Sequence, residues 1–126
     1  MSEKFEIYVK THFSAAHSLH GYKGDCAKTH GHNWIIKVYV QCKKLDDIGF
    51  GIDFRDLKKI VKEVLVSMDH SNLNELKAFQ EMNPTSENIA KYIYKGVGKK
   101  LNSKNVKVSK VEVSETPGTG SFYWEE

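Results

Sequence analysis

The sequence predicts an α+β protein: a four-stranded antiparallel sheet with two segregated helices, in the order β-β-α-α-β-β. Three observations carry that reading. Phe5, Ile7, Val9 and Phe13 alternate with polar residues, the two-residue period of a half-buried strand. Two later segments space their apolar residues by three and four, the period of a helix with one buried face. Towards the C-terminus, valines return at alternate positions before the turn "TPGTG".

Each element has a local reason. The first strand keeps its register as far as His17, which puts that histidine on the apolar side. "SLHGYKGDCAKT", Ser18 to Thr29, holds two glycines among small polar residues and reads as a loop. In "HGHNWIIKVYVQC", His30, His32, Trp34, Ile36, Val38 and Val40 share one parity, so both histidines face with the apolar stripe. "DDIGFGIDF" is a turn, and Asp53 caps a helix presenting Phe54, Leu57, Ile60, Val61, Val64, Leu65 and Met68 on one side. "MDHSNLNELKAFQEMN" has no sustained period and is expected to be a loop. Thr85 then caps a second helix with Ile89, Ile93, Val97 and Leu101 inward, its last turns weakened by Gly96 and Gly98. Val106 and Val108 give way to Val111 and Val113 across Ser109 and Lys110, a change of parity that predicts a bulge. A short strand, Ser121 to Trp124, closes the sheet.

A chain of 126 residues has room for one domain, 1–126, with a real core, and not for two ordinary ones. Apolar residues at 40%, charged residues at 28% and only two prolines fit a globular chain and exclude a fibrous or disordered one. The opening "MSEKFEIYVK" lacks a signal-peptide core, and no segment approaches the roughly 20 apolar residues of a membrane span. A cytoplasmic location is therefore expected, with no membrane partner. In that reducing compartment a disulfide between Cys26 and Cys42 is the weaker reading, and Cys42 is read as core filler. The net charge of +3 comes almost wholly from scattered lysines, Arg55 being the one arginine. That favours an anionic small molecule and argues against nucleic acid, whose readers lean on arginine. An open sheet also leaves two edges to protect, so association between subunits is expected.

The chemistry concentrates in "CAKTHGHNW", Cys26 to Trp34. Histidines two apart on a strand lie about 7 Å apart on one face, so both rings can converge on one ion if the neighbouring strand supplies a third ligand. His17 is placed to do so. Three neutral imidazoles without a fourth protein ligand is the pattern of catalytic zinc. An H-x-H pair also arises by chance in a chain with six histidines, and it is the inward parity of His17 that favours the metal. His12 and His20 have no such partners and are read as surface residues. Cys26 could complete a closed structural site, act as a base or nucleophile beside the metal, or simply fill a loop; spacing leaves these open. Asp69 next to His70 could fix the tautomer of that histidine, or be an ordinary solvated pair at a helix end. Glu115 ends the apolar face of the last long strand and needs a partner, either a guanidine-like ligand edge or a salt bridge.

Together, "FSAAH", "CAKTHGHNW", "GIDFRDLK", "MDHSNLN", "NPTSENIA" and "VEVSET" resemble the successive signatures of the 6-pyruvoyltetrahydropterin synthase and 6-carboxytetrahydropterin synthase family, nearly from end to end. The resemblance implies that His17, His30 and His32 bind Zn2+, that Cys26 is the proton-abstracting base, and that Asp69 with His70 forms a relay assisting it. Glu115 would anchor the pterin ring and join the relay. It implies the tunnelling fold, with both helices on one face of the sheet. Three such sheets would close into a barrel and two trimers stack into a homohexamer. Family active sites lie between subunits, so Cys26 and the pair Asp69 and His70 can come from different chains.

Three residues separate Cys26 from His30, a spacing that resembles the carboxy enzymes rather than the pyruvoyl ones, which typically have five. The implied reaction converts 7,8-dihydroneopterin triphosphate to 6-carboxy-5,6,7,8-tetrahydropterin, acetaldehyde and triphosphate, an early step towards 7-deazaguanine compounds such as queuosine. The alternatives are 6-pyruvoyltetrahydropterin synthase activity or a non-catalytic zinc- or pterin-binding module.

Overall fold

β1 (Phe5–His17) and β2 (His30–Cys42) pair antiparallel over their whole length, from Phe5 opposite Cys42 to His17 opposite His30. The computed structural model describes residues 3–21 and 28–126, so Cys26 lies outside the described residues. α1 (Phe54–Leu65) begins at Asp53, whose side chain accepts the Arg55 N–H. α2 (Ser86–Leu101) begins at Thr85, whose hydroxyl accepts the Asn88 N–H. β4 (Val106–Ser114) pairs antiparallel with β2 and β5 (Ser121–Tyr123) with β4.

The expected four strands are present, and a fifth corrects the count. β3 (Ser71–Asn72) pairs in parallel with Ala15 and Ala16 of β1, so the sheet is mixed, in the order β3-β1-β2-β4-β5. It falls in the segment read as a plain loop. That segment is instead pinned by Met68, Leu73 and Phe79, all buried, and contains short 3-10 turns at Leu73–Glu75 and Lys77–Phe79. Two residues of strand leave no period to read, because the bridge is made by the tertiary fold and not by local preference.

One face of the sheet carries the core. Val9, Phe13 and Ala15 of β1, Trp34, Ile36, Val38 and Val40 of β2, and Val108, Val111 and Val113 of β4 pack with both helices in one cluster. Each such large side chain contributes roughly 1.5–3 kcal/mol by leaving water. The predicted bulge is there: Tyr39 faces Lys110 and Val40 faces Val108, leaving Ser109 as the extra residue. It lets Val108 and Val111 both point inward. Cys42 is buried at the end of β2, as expected of core filler.

One further expectation needs correction. Phe54, on the apolar stripe of α1, is 54% exposed; it is the first residue of the helix, and the buried stripe begins one turn later at Leu57. Gly96 and Gly98 lie inside α2, which runs through both to Leu101. A Cβ at Gly96 would stand 2.9 Å from Cγ1 of Val64, so this glycine lets α1 and α2 approach.

Candidate metal centre

His17, His30 and His32 meet on the core face of the β1–β2 pair, where His17 is opposite His30 and Ala15 opposite His32. One ring nitrogen from each lies within 4.8 Å of the other two. Trp34, fully buried, forms the floor, with its ring centroid 4.8 Å from that of His17 and 5.2 Å from that of His32. Its indole N–H donates to the Ala15 carbonyl at 3.2 Å, which fixes the plane against which the imidazoles stand.

The tautomers follow from the acceptors. His17 Nδ1 is 2.8 Å from the Pro84 carbonyl and His30 Nδ1 is 2.7 Å from the Lys28 carbonyl. A carbonyl only accepts, so both Nδ1 atoms carry a proton, and in the neutral rings both Nε2 atoms present lone pairs. Those two Nε2 atoms are 3.1 Å apart. Two lone pairs at that distance repel unless a proton or a metal ion lies between them. Nε2 of His32 is buried without a hydrogen-bond partner, 3.2 Å from a Glu115 oxygen but not aligned with it. An orphaned buried ring nitrogen beside two converging lone pairs fits a divalent ion. Bonds of about 2.1 Å in a tetrahedron would set the nitrogens about 3.4 Å apart, within reach of small ring movements. Burial holds the His17 imidazole below the ordinary histidine value, which keeps its lone pair free, against the opposing pull of the Pro84 carbonyl and the Glu115 charge.

Glu115 follows the buried Val111 and Val113 and sits half-exposed beside His32. A cleft of about 780 Å³ opens there, with Lys10, His12 and Asn33 along its wall. Glu115 lines this cleft together with His32. His12 and His20 are exposed, as expected.

Asp69 and His70 lie elsewhere on the chain's surface. Asp69 Oδ1 accepts the Ser14 N–H at 3.0 Å, and the His70 N–H donates to the Ser14 carbonyl, so the pair continues the short β3 bridge along β1. The Ser14 N–H, followed by the His70 charge, holds the Asp69 carboxyl below the usual range. His70 Nδ1 is 3.1 Å from the same Asp69 oxygen, and its ring is 82% exposed. His70 has a φ of 59°, a left-handed conformation uncommon outside glycine and often found at functional positions. Among the described residues, no hydrogen bond or ion pair joins Asp69 or His70 to the three histidines or to Glu115.

Residues 6–126 match the model of the 6-pyruvoyl tetrahydropterin synthase family. The chain belongs to that family. A protein of Archaeoglobus fulgidus, provisionally assigned as a 6-carboxy-5,6,7,8-tetrahydropterin synthase, is 43% identical over 113 residues, spanning 89% of this chain and 93% of its own. The 6-carboxy-5,6,7,8-tetrahydropterin synthase of Bacillus subtilis is 35% identical over 126 residues, spanning 94% and 84%. A dihydroneopterin monophosphate aldolase of Pyrococcus furiosus is 36% identical over 100 residues, spanning 78% and 79%. Among solved structures, the 6-pyruvoyl tetrahydropterin synthase of Caenorhabditis elegans superposes with a TM-score of 0.87 at 29% identity, covering 99% of this chain and 98% of that one. Relatives of comparable identity to this chain are thus named for different reactions. No helix of the structure is long and apolar enough to cross a membrane.

Sequence reasoning found the three histidines and missed what orients them. The acceptors are main-chain carbonyls of Lys28 and Pro84, which no residue type announces. Asn74 and Asn83, whose side chains hydrogen-bond the backbone of Ser18 and His20 just after His17, were equally silent, sitting in a segment without a period.

Proposed function

We propose that the protein is a zinc-dependent 6-carboxytetrahydropterin synthase, converting 7,8-dihydroneopterin triphosphate to 6-carboxy-5,6,7,8-tetrahydropterin, acetaldehyde and triphosphate on the way to 7-deazaguanine compounds. The observation that carries the reading is the set of three histidines with two fixed tautomers and an orphaned third nitrogen. The choice of branch rests on the three residues between Cys26 and His30, and on the carboxy activity named for two relatives.

His17, His30 and His32 would hold the ion, which when bound supplies Lewis acidity towards side-chain oxygens of the substrate. Glu115 accepts hydrogen bonds from the guanidine-like edge of the pterin and so sets its orientation. Cys26, as thiolate, takes a proton from the substrate side chain. Asp69 keeps the His70 proton on Nδ1, leaving Nε2 to take up and return protons as the relay. Lys10, in the cleft shared with Glu115 and His32, offers positive charge for an anionic substrate. Asp69 and His70 point outward from their own chain, which supports a site completed between subunits of a homohexamer. Residues Phe5 to Phe13 of β1, unpaired on their outer edge by β3, offer a place for such an association.

Product analysis tests the reading. Zinc-loaded protein incubated with dihydroneopterin triphosphate is expected to release acetaldehyde and triphosphate in equal amounts. 6-Pyruvoyltetrahydropterin without acetaldehyde, or cleavage confined to dihydroneopterin monophosphate, would replace this assignment with another of the family's activities.

A further inference from the structure

His30 and His32 pair with β1, opposite His17 and Ala15, and lie beyond the pairing of β2 with β4, which begins at Ile35; His17 is the last residue of β1. β3 stops at Asn72, opposite Ala16, so nothing in the sheet holds the outer edge of the chain as it passes His17. Two side chains take over. Asn74 accepts the Ser18 N–H at 2.8 Å and donates to the Ser18 carbonyl at 3.0 Å. Asn83 accepts the His20 N–H at 2.8 Å and donates to the His20 carbonyl at 2.8 Å. A carboxamide presents one acceptor and one donor side by side, as a peptide group does, so the two asparagines extend the ladder where β3 ends.

Neither asparagine hangs free. Asn74 sits in the 3-10 turn capped by Asn72, whose side chain accepts the Asn74 N–H at 3.1 Å. The Asn83 carbonyl accepts Nδ2 of Asn88 at 2.9 Å, tying it to the first turn of α2. The next residue is Pro84, whose carbonyl accepts the hydrogen bond from the His17 Nδ1–H. The same connector thus grips His17 by its ring and the two residues Ser18 and His20 by their backbone.

We propose that Asn74 and Asn83 are positioning residues for the histidine metal centre: they fix the chain after His17 so that its Nε2 stays where His30 and His32 converge. The proposal rests on the metal reading above. Asp is the informative replacement at each position, since it keeps size and acceptor, removes the donor and sets a carboxylate against a carbonyl oxygen.

Zinc affinity, measured on folded protein by competition with a chromophoric chelator, is expected to fall about tenfold in Asn74→Asp and in Asn83→Asp, the loss typical when a partner that orients a ligand is removed. Val108→Ala, a fully buried position of β4, is the control, expected to lower stability and leave zinc affinity unchanged. Should an Asp variant not fold, Asn74→Ser and Asn83→Ser are measured in its place with the same expectation. Folded variants that bind zinc within twofold of the wild type, or a Val108→Ala protein that weakens zinc as much as they do, would overturn the positioning role. A wild-type chain that binds no zinc overturns the metal centre itself, and the positioning role with it.

Discussion

Replacing Gly96 by Ala sets two effects of similar size against each other. In the interior of a helix the change should stabilise by about 1 kcal/mol, through lower backbone entropy in the unfolded chain. The new methyl, however, would stand 2.9 Å from Cγ1 and 3.4 Å from Cγ2 of Val64. Carbon atoms rest at about 3.5–4.0 Å, and valine on a helix has essentially one χ1 rotamer, so Val64 cannot turn aside and the helices must part. Overpacking of this kind costs about 1–3 kcal/mol. The clash wins, and Gly96→Ala is expected to be net destabilising by roughly 1 kcal/mol. Removing the obstacle should reverse the sign. Val64→Ala alone loses about 1.6 kcal/mol for two buried methylene equivalents, before any cavity cost. In the double variant the Gly96→Ala change should recover its helix-propensity gain, giving a coupling energy of about 2 kcal/mol between the two sites. Urea unfolding of the four proteins, followed by circular dichroism at constant m-value, reads this directly. A Gly96→Ala protein stabilised by the full propensity increment, with additive behaviour in the cycle, would show that the helices do not touch here and would refute the reasoning.

Cys26→Ala is expected to keep one zinc per chain and a normal thermal transition while turnover falls by at least about a hundredfold, as for loss of a general base; metal analysis beside acetaldehyde release checks it, and loss of zinc would make Cys26 a ligand. The metal-free protein should lose stability on acidification. The folded His17 value lies below the ordinary 6.5, so the stability is fully present above pH 6.5 and is lost as the unfolded chain, but not the folded one, takes up that proton. Urea midpoints from pH 8 to 5 test this, and removal of the effect in His17→Gln assigns it to that ring.

Much of the fold was legible because most of its elements obey one period. The strands β1 and β2 keep their parity for thirteen residues each, which is why the alternation alone puts His17 inward. The parity break at Ser109 identified a bulge for the same reason. Where position depends on contacts from elsewhere, the sequence was mute. β3 exists because Ser71 and Asn72 are delivered to Ala15 and Ala16 by buried Met68 and Leu73. Phe54 looked like core from its spacing, but spacing does not say where along a helix the buried stripe begins. In the site, residue types announced the ligands, whereas the left-handed turn at His70 and the grip of Asn74 and Asn83 depend on backbone paths that adjacent letters do not encode.

The imidazoles of His17 and His30 are oriented by main-chain oxygens, and this bears on how the site can change over generations. A carbonyl survives every substitution of the residue that bears it. Positions 28 and 84 can therefore drift in identity without unsetting either tautomer, so long as the chain runs the same course. Selection on metal binding would act on the asparagines and turns that steer that course, leaving the residues whose atoms touch the ligands comparatively free.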